Sequence, residues 1–170
     1  IGSGAGAGIT AELLTKAGLN VVIVEEGQLK SSTDFKQKEP EAYASLYQEN
    51  AGRKTKDKGI TILQGRSVGG TTTVNWTSSF HTPPDTLKFW QDKFGLKDYT
   101  TETLAPYFQQ AQTRLNISPW ATSPNENNEL LRRGAAKLGI KAEVIPRNVK
   151  GCYNLGSCGM GCPTNAKQSM

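Results

Sequence analysis

Histidine occurs once and cysteine three times in this 170-residue sequence. Metal centres and general bases therefore have few candidates among the residue types that usually supply them. No apolar run approaches the roughly 20 residues a membrane-spanning helix needs. Internal repeats and low-complexity stretches are also missing, which argues against solenoids and linker-like segments. The formal net charge of +5 could suggest an anionic partner, but much of the excess sits in "RKTKDK", Arg53 to Lys58. Asp57 interrupts that run, and no nucleic-acid-binding module accompanies it, so it reads as a solvated loop.

What is present is a globular composition, 36% hydrophobic and 21% charged, in a chain long enough to bury one core. After a glycine turn, Ile9, Leu13, Leu14 and Ala17 recur at helical spacing, and Gly18 supplies a stop. "VVIV" (Val21 to Val24) is a β-branched run of the kind found in parallel strands covered on both faces. Together these predict a βαβ unit. Residues 28–58 are polar, with a weak helical signal around Tyr43 to Tyr47. "ITILQ" (Ile60 to Gln64) reads as a short strand entering a second glycine turn. Three helices are predicted beyond it. Leu87, Trp90 and Phe94 mark the first, closed by Gly95, and Leu104, Phe108, Ala111 and Leu115 mark the second. Leu130, Leu131, Ala135 and Leu138 mark the third, which ends at Gly139 and leads to an extended "AEVIP".

Two motifs carry chemistry. In "IGSGAGAG", Gly2, Gly4 and Ala7 fit G-x-G-x-x-G/A. The first glycine permits a tight turn, the second lets a pyrophosphate approach the backbone, and the small third residue lets helix and strand pack closely. A pyrophosphate would then lie at the helix N-terminus, where unpaired N–H groups favour negative charge. Glu25 or Glu26, at the end of the following strand, can accept hydrogen bonds from an adenosine ribose and would repel a 2′-phosphate. Strand alternation lets only one of them face the ribose, and Glu25 is favoured. The second motif is "GRSVGGTTTVNW", Gly65 to Trp76. Gly69 and Gly70 remove side-chain bulk, while Thr71 to Thr73 and Asn75 offer hydrogen bonds to a flat ligand. The plainer alternative is a tight turn capped by threonines. Trp76 is equally suited to the ligand's neighbourhood and to core packing.

On these two motifs the sequence resembles the glucose–methanol–choline family of FAD-dependent oxidoreductases. The resemblance continues through Trp90, the Phe94-Gly95 pair and the Pro106-Tyr107-Phe108 helix. It reaches "NLGSCGMGCPTNAKQSM", which is similar to the cysteine-bearing segment of the long-chain alcohol oxidase and dehydrogenase branch. Departures from that branch are His81-Thr82-Pro83, where Arg-Thr-Pro is usual, and Gln110 to Gln112, where an acid is usual.

The resemblance implies an FAD-dependent enzyme oxidising the CH–OH group of a small-molecule alcohol, with oxygen, a quinone or a cytochrome as possible acceptor. It implies an α/β fold: a Rossmann-like FAD-binding βαβ unit with a helical extension, incomplete at both ends. Residues 1–82 would be a partial FAD-binding domain and 83–150 a helical segment leading into the substrate or cap region. Residues 151–170 would be a truncated cysteine-containing loop. The implied cofactor set is Gly2, Gly4, Ala7, Glu25, Arg66, Gly69, Gly70, Thr71, Asn75 and Trp76. The family's catalytic histidine would lie beyond Met170, leaving His81 a structural role beside its proline turn. The simplest expectation is a fragment of a protein about three times as long. Its open apolar sheet edge would leave it folding poorly, or binding FAD poorly and inactive, by itself.

Cys152, Cys158 and Cys162 follow C-x5-C-x3-C spacing. Structural zinc usually takes four ligands with a closer pair, so a loop cysteine cluster without metal is favoured over a zinc site. One disulfide with a spare thiol is the alternative in an exported protein. Two rival readings of the whole chain remain: an NAD-dependent dehydrogenase, which the second glycine motif opposes, and a non-catalytic remnant.

Overall fold

Helix α1, Ala5–Lys16, begins directly on the first glycine turn, with Gly4 as its N-cap. Beyond it Gly18 turns the chain away at φ +83°, a conformation that suits a residue without Cβ. The computed structural model describes residues 1–169. They form two units: Ile1–Thr77 with the segment from Val149 onward, and Ser78–Asn148. The architecture is mixed, six α-helices and a two-stranded sheet among the described residues.

In the first unit, helix α2 (Glu39–Leu46) carries Pro40 in its first turn, where a missing N–H costs nothing. It supplies most of the core. Ala42, Leu46 and Tyr47 are buried with Val74, and Phe35, Tyr43 and Met160 pack against them. Val74 belongs to the one-turn helix α3 (Thr71–Val74), which follows the second glycine pair. Cys158–Met160 form a 3-10 turn that runs into Gly161 at φ +86°, where a Cβ would sit 2.1 Å from the Phe35 ring. Glycine is required there twice over, by backbone and by contact. Lys150 N–H donates to the Ala166 carbonyl at 2.8 Å, holding the cysteine segment closed on itself.

The predicted strands are not formed as strands. Val21–Val24 has no ladder partner among the described residues, and its tie to the glycine turn is the hydrogen bond from Gly2 N–H to the Val24 carbonyl, 2.8 Å. Val22 and Val24 are 87% and 63% exposed. A parallel strand acquires its ladder from neighbours on both edges, and a β-branched run cannot supply them from its own sequence. "ITILQ" likewise makes only an isolated bridge, Thr61 with Lys54, and the next residue, Gly65, makes another with Tyr47. It folds back on the basic segment, with Ile62 N–H donating to the Arg53 carbonyl (2.8 Å) around a turn in which Asp57 accepts from Gly59 N–H.

The second unit contains helices α4 (Pro84–Phe94), α5 (Thr101–Arg114) and α6 (Glu126–Lys137). Strands β1 (Ile117–Pro119) and β2 (Pro146–Asn148) pair antiparallel, Ile117 opposite Asn148. Each helix has a local reason to begin or end. Gly95 caps α4 in the left-handed region, Thr100 and Thr103 form a capping box on α5, and the Asn125 side chain accepts from Asn128 N–H on α6. Leu87 is buried to 1% exposure. The stripe expected to bury α6 does not: Leu130, Leu131 and Leu138 are exposed. Its cap, its acidic first turn and the Glu129–Arg132 ion pair support that helix locally instead.

Candidate functional site

The first glycine turn is open on its outer side. A Cβ built on Gly2, Gly4 or Gly6 would meet nothing within 4 Å. Helix α1 starts there with no side-chain cap and no acid in its first turn. Its leading N–H groups are thus offered to an external acceptor, and the helix dipole favours an anionic one. Ala7 lies on this first turn, half-buried. Such a cradle can take an anionic group.

Glu25 and Glu26 point to different partners. Both Glu25 oxygens are engaged: Oε2 accepts from Ser3 N–H (2.8 Å) and Ser3 Oγ (2.7 Å), and Oε1 from Gly27 N–H (2.9 Å). The Gly27 amide, then the Ser3 hydroxyl, hold this carboxyl below the usual glutamate range. The backbone of Ser3 and Glu26 adds to this, so the carboxylate is tied into the turn that joins the first glycine segment to Gly27. Glu26 is exposed and instead meets Gln48 Nε2 and, at 3.7 Å, Arg66 Nε.

Ser3 also joins the two glycine segments. Its Oγ accepts from Gly69 N–H at 2.9 Å. Next to this bond Gly70, at φ +54°, approaches the first turn so closely that a Cβ would lie 3.1 Å from Gly4 Cα. Gly27 is equally constrained, since a Cβ there would fall 2.4 Å from Ser67 N. Ser67 is fully buried and its hydroxyl has no hydrogen-bond partner among the described residues.

The threonine run is occupied by its own turn. Thr71 Oγ1 accepts from Gly65 N–H, Thr72 Oγ1 donates to the Gly69 carbonyl, and Thr73 Oγ1 donates to the Val68 carbonyl. Asn75 Oδ1 accepts from Thr77 N–H at 3.3 Å. Trp76 is half-exposed, with one part of its indole over Gly159, where a Cβ would come within 2.9 Å of the ring.

Sequence reasoning did not single out Ser3, Gly27, Tyr47 or Lys167, although all four hold this region together. Tyr47 Oη donates to the Gly159 carbonyl at 2.6 Å. Lys167 is 8% exposed and reaches the carbonyls of Thr73, Asn75 and Cys158. Only Ser3 carried a signal, its place inside the glycine motif. The three cysteines are free thiols, each half-buried. Among the described residues no group of three or more His, Cys, Asp or Glu could hold a metal ion. In the second unit, His81 stacks on Phe108 at 4.5 Å between ring centroids.

The family model for GMC oxidoreductase matches residues 43–170. The chain belongs to that family. A long-chain-alcohol oxidase of Arabidopsis thaliana is 32% identical over 168 residues, 99% of this chain and 22% of the relative. An uncharacterized GMC-type oxidoreductase of Mycobacterium tuberculosis is 36% identical, over 98% of this chain and 27% of its own length. A cholesterol oxidase of the same species is 25% identical, over 100% of this chain and 35% of its own. The chain thus spans about a fifth to a third of these GMC relatives. The match to the GMC model includes the second glycine segment, the second half of α2 with Leu46, and the cysteine loop, which contribute much of the first unit's core.

Proposed function

We propose that these residues form part of the FAD-binding domain of a flavin-dependent oxidoreductase acting on the CH–OH group of alcohols. The observation that carries this reading is the junction of the two glycine segments. There Gly70 lies against Gly4, and Ser3 bonds both Gly69 and Glu25. A lone glycine turn would fit many nucleotides, whereas a second glycine segment locked onto the first suits a cofactor that extends beyond its diphosphate.

In this reading the region around α1 is a Rossmann-like unit. Gly2, Gly4 and Ala7 would seat the pyrophosphate, and Glu25 would face the adenosine ribose. Arg66, Gly69, Gly70, Thr71, Asn75 and Trp76 would line the flavin side, and residues 83–150 would lead towards the substrate. When bound, the flavin would supply the hydride acceptor for the carbinol carbon. No proton-transfer role is proposed for His81, which stacks on Phe108 in the second unit. The alcohol class is supported by the long-chain-alcohol and cholesterol oxidases among the relatives. The 170 residues by themselves are expected to be inactive.

The test is to purify the complete protein that carries this chain and identify its chromophore. A yellow protein that releases FAD on denaturation, and whose flavin is bleached by an alcohol without oxygen, supports the reading. A colourless protein that takes up NAD overturns it.

A further inference from the structure

Lys167 is a buried cation whose hydrogen bonds end on carbonyl oxygens: Thr73 (2.8 Å), Asn75 (2.7 Å) and Cys158 (2.7 Å). An ammonium has three donors and no acceptor, so three carbonyls use all of them. Burying such a charge is costly unless it is fully hydrogen-bonded, and here it is. Two of the three carbonyls lie at the C-terminal end of α3, where the last turn leaves carbonyls without helical partners and a cation is favoured. The third belongs to the turn that also carries Gly159, the residue beneath Trp76. The lysine's own backbone is held by the bridge between Val149 and Lys167.

We infer that Lys167 is a positioning residue of the cofactor site, pinning the Thr73 and Asn75 carbonyls and thereby the direction of the Asn75 and Trp76 side chains. The inference rests on the reading that these two residues face the flavin. Lys167 touches no reacting atom; it acts through the loop it holds.

The titratable groups facing the ammonium are the Cys158 and Cys162 thiols. Burial pushes Lys167 down to about 8, and the two cysteines oppose that. A neutral amine has only two N–H bonds for three carbonyls, so the grip on the loop weakens as pH rises through this region. Global stability moves the other way. The folded-state value lies below the ordinary 10.5, so the unfolded chain binds more protons between the two values and stability rises with pH there. A merely structural lysine would let flavin retention follow stability. A positioning lysine separates the two.

The experiment uses the complete protein, as wild type, Lys167→Met and Lys167→Arg. FAD affinity of the apoprotein and visible circular dichroism of the bound flavin are recorded from about pH 7 to 9, with thermal unfolding of the same samples. The expected result is FAD binding weakened about tenfold or more in Lys167→Met, with an altered flavin spectrum. Wild-type affinity should fall across this range while unfolding temperature does not, and Lys167→Arg, charged throughout, should lose that fall. A folded Lys167→Met with wild-type affinity and spectrum overturns the inference, as does a wild-type affinity flat in pH. Should Lys167→Met not fold, the comparison of wild type with Lys167→Arg decides alone. A wild type that binds no FAD at all removes the functional reading and this inference together, an outcome distinct from the others.

Discussion

Gly70 stands against Gly4 so closely that a Cβ on Gly70 would lie 3.1 Å from Gly4 Cα, and the first turn would have to give by a few tenths of an ångström to admit it. The backbone of Gly70 (φ +54°, ψ −137°) is also one that other residues adopt only under strain. Gly70→Ala should therefore cost about 1–3 kcal/mol from the backbone alone, plus whatever separation of the two loops the methyl forces. Gly134 provides the contrast, because it lies inside α6 with nothing within 4 Å of its Cβ position. Gly134→Ala should stabilise by about 0.5–1 kcal/mol. Urea unfolding of both variants tests the pair, and equal effects would contradict this account.

The glycine positions were legible in the sequence, and so were the helices, for the same reason: both are set by local chemistry. Gly18, Gly95 and Gly139 each follow a helix and adopt positive φ. Ladder formation was not legible, since Val21–Val24 and Ile60–Gln64 have the composition of strands but a ladder depends on which backbone lies alongside. Lys167 was hidden for a different reason. A lysine in a polar tail reads as solvent-exposed, and nothing in its neighbours announces that three distant or looped-back carbonyls converge on it.

Tyr47 shows how a buried polar atom ties the core to the cysteine loop. Its hydroxyl donates to the Gly159 carbonyl at 2.6 Å, so Tyr47→Phe removes a donor from a buried acceptor and should cost about 1–2 kcal/mol. Burial, then the proximity of Tyr43 and Glu39, pushes the phenol up to about 12 from its ordinary 10.0. The neutral phenol thus contributes stability that is fully present below about pH 10 and is lost as pH rises towards 12. Tyr47→Phe should flatten that part of the alkaline unfolding curve; an unchanged curve would show that another group governs it.

Cys162 is expected to react at a lower pH than an ordinary thiol. Burial raises its thiol, but hydrogen bonds from Thr164 and from the backbone of Lys167, Ala166 and Thr164 outweigh this, leaving it below the ordinary 9.0. The geometry agrees: Ala166 N–H donates to Sγ at 3.3 Å, and Thr164 Oγ1 lies within hydrogen-bonding distance of Sγ at 3.5 Å. Alkylation by iodoacetamide, followed by peptide mapping across pH, should show Cys162 modified through a depressed titration. Thr164→Val should move that titration up. A Thr164→Val profile identical to wild type would remove the hydroxyl from the explanation.

Glu25 should set part of the acid limit of the first unit. Its carboxylate accepts from Gly27 N–H and from both donors of Ser3, and its folded-state value is lowered from 4.5, with the Gly27 amide the largest cause. Lowering means that the ionised form is preferred in the folded chain. The resulting stability is present above about pH 4.5 and is lost as pH falls through the folded-state value. Glu25→Gln keeps the size but turns one acceptor oxygen into a donor facing N–H groups. The variant should be less stable than wild type at neutral pH, and the difference should shrink in acid as the wild-type carboxylate itself becomes protonated. Urea midpoints from neutral to acid pH measure this directly. A difference that stays constant through the acid range would mean that Glu25 acts through its shape alone, and that its charge contributes nothing to holding Ser3 between the two glycine segments.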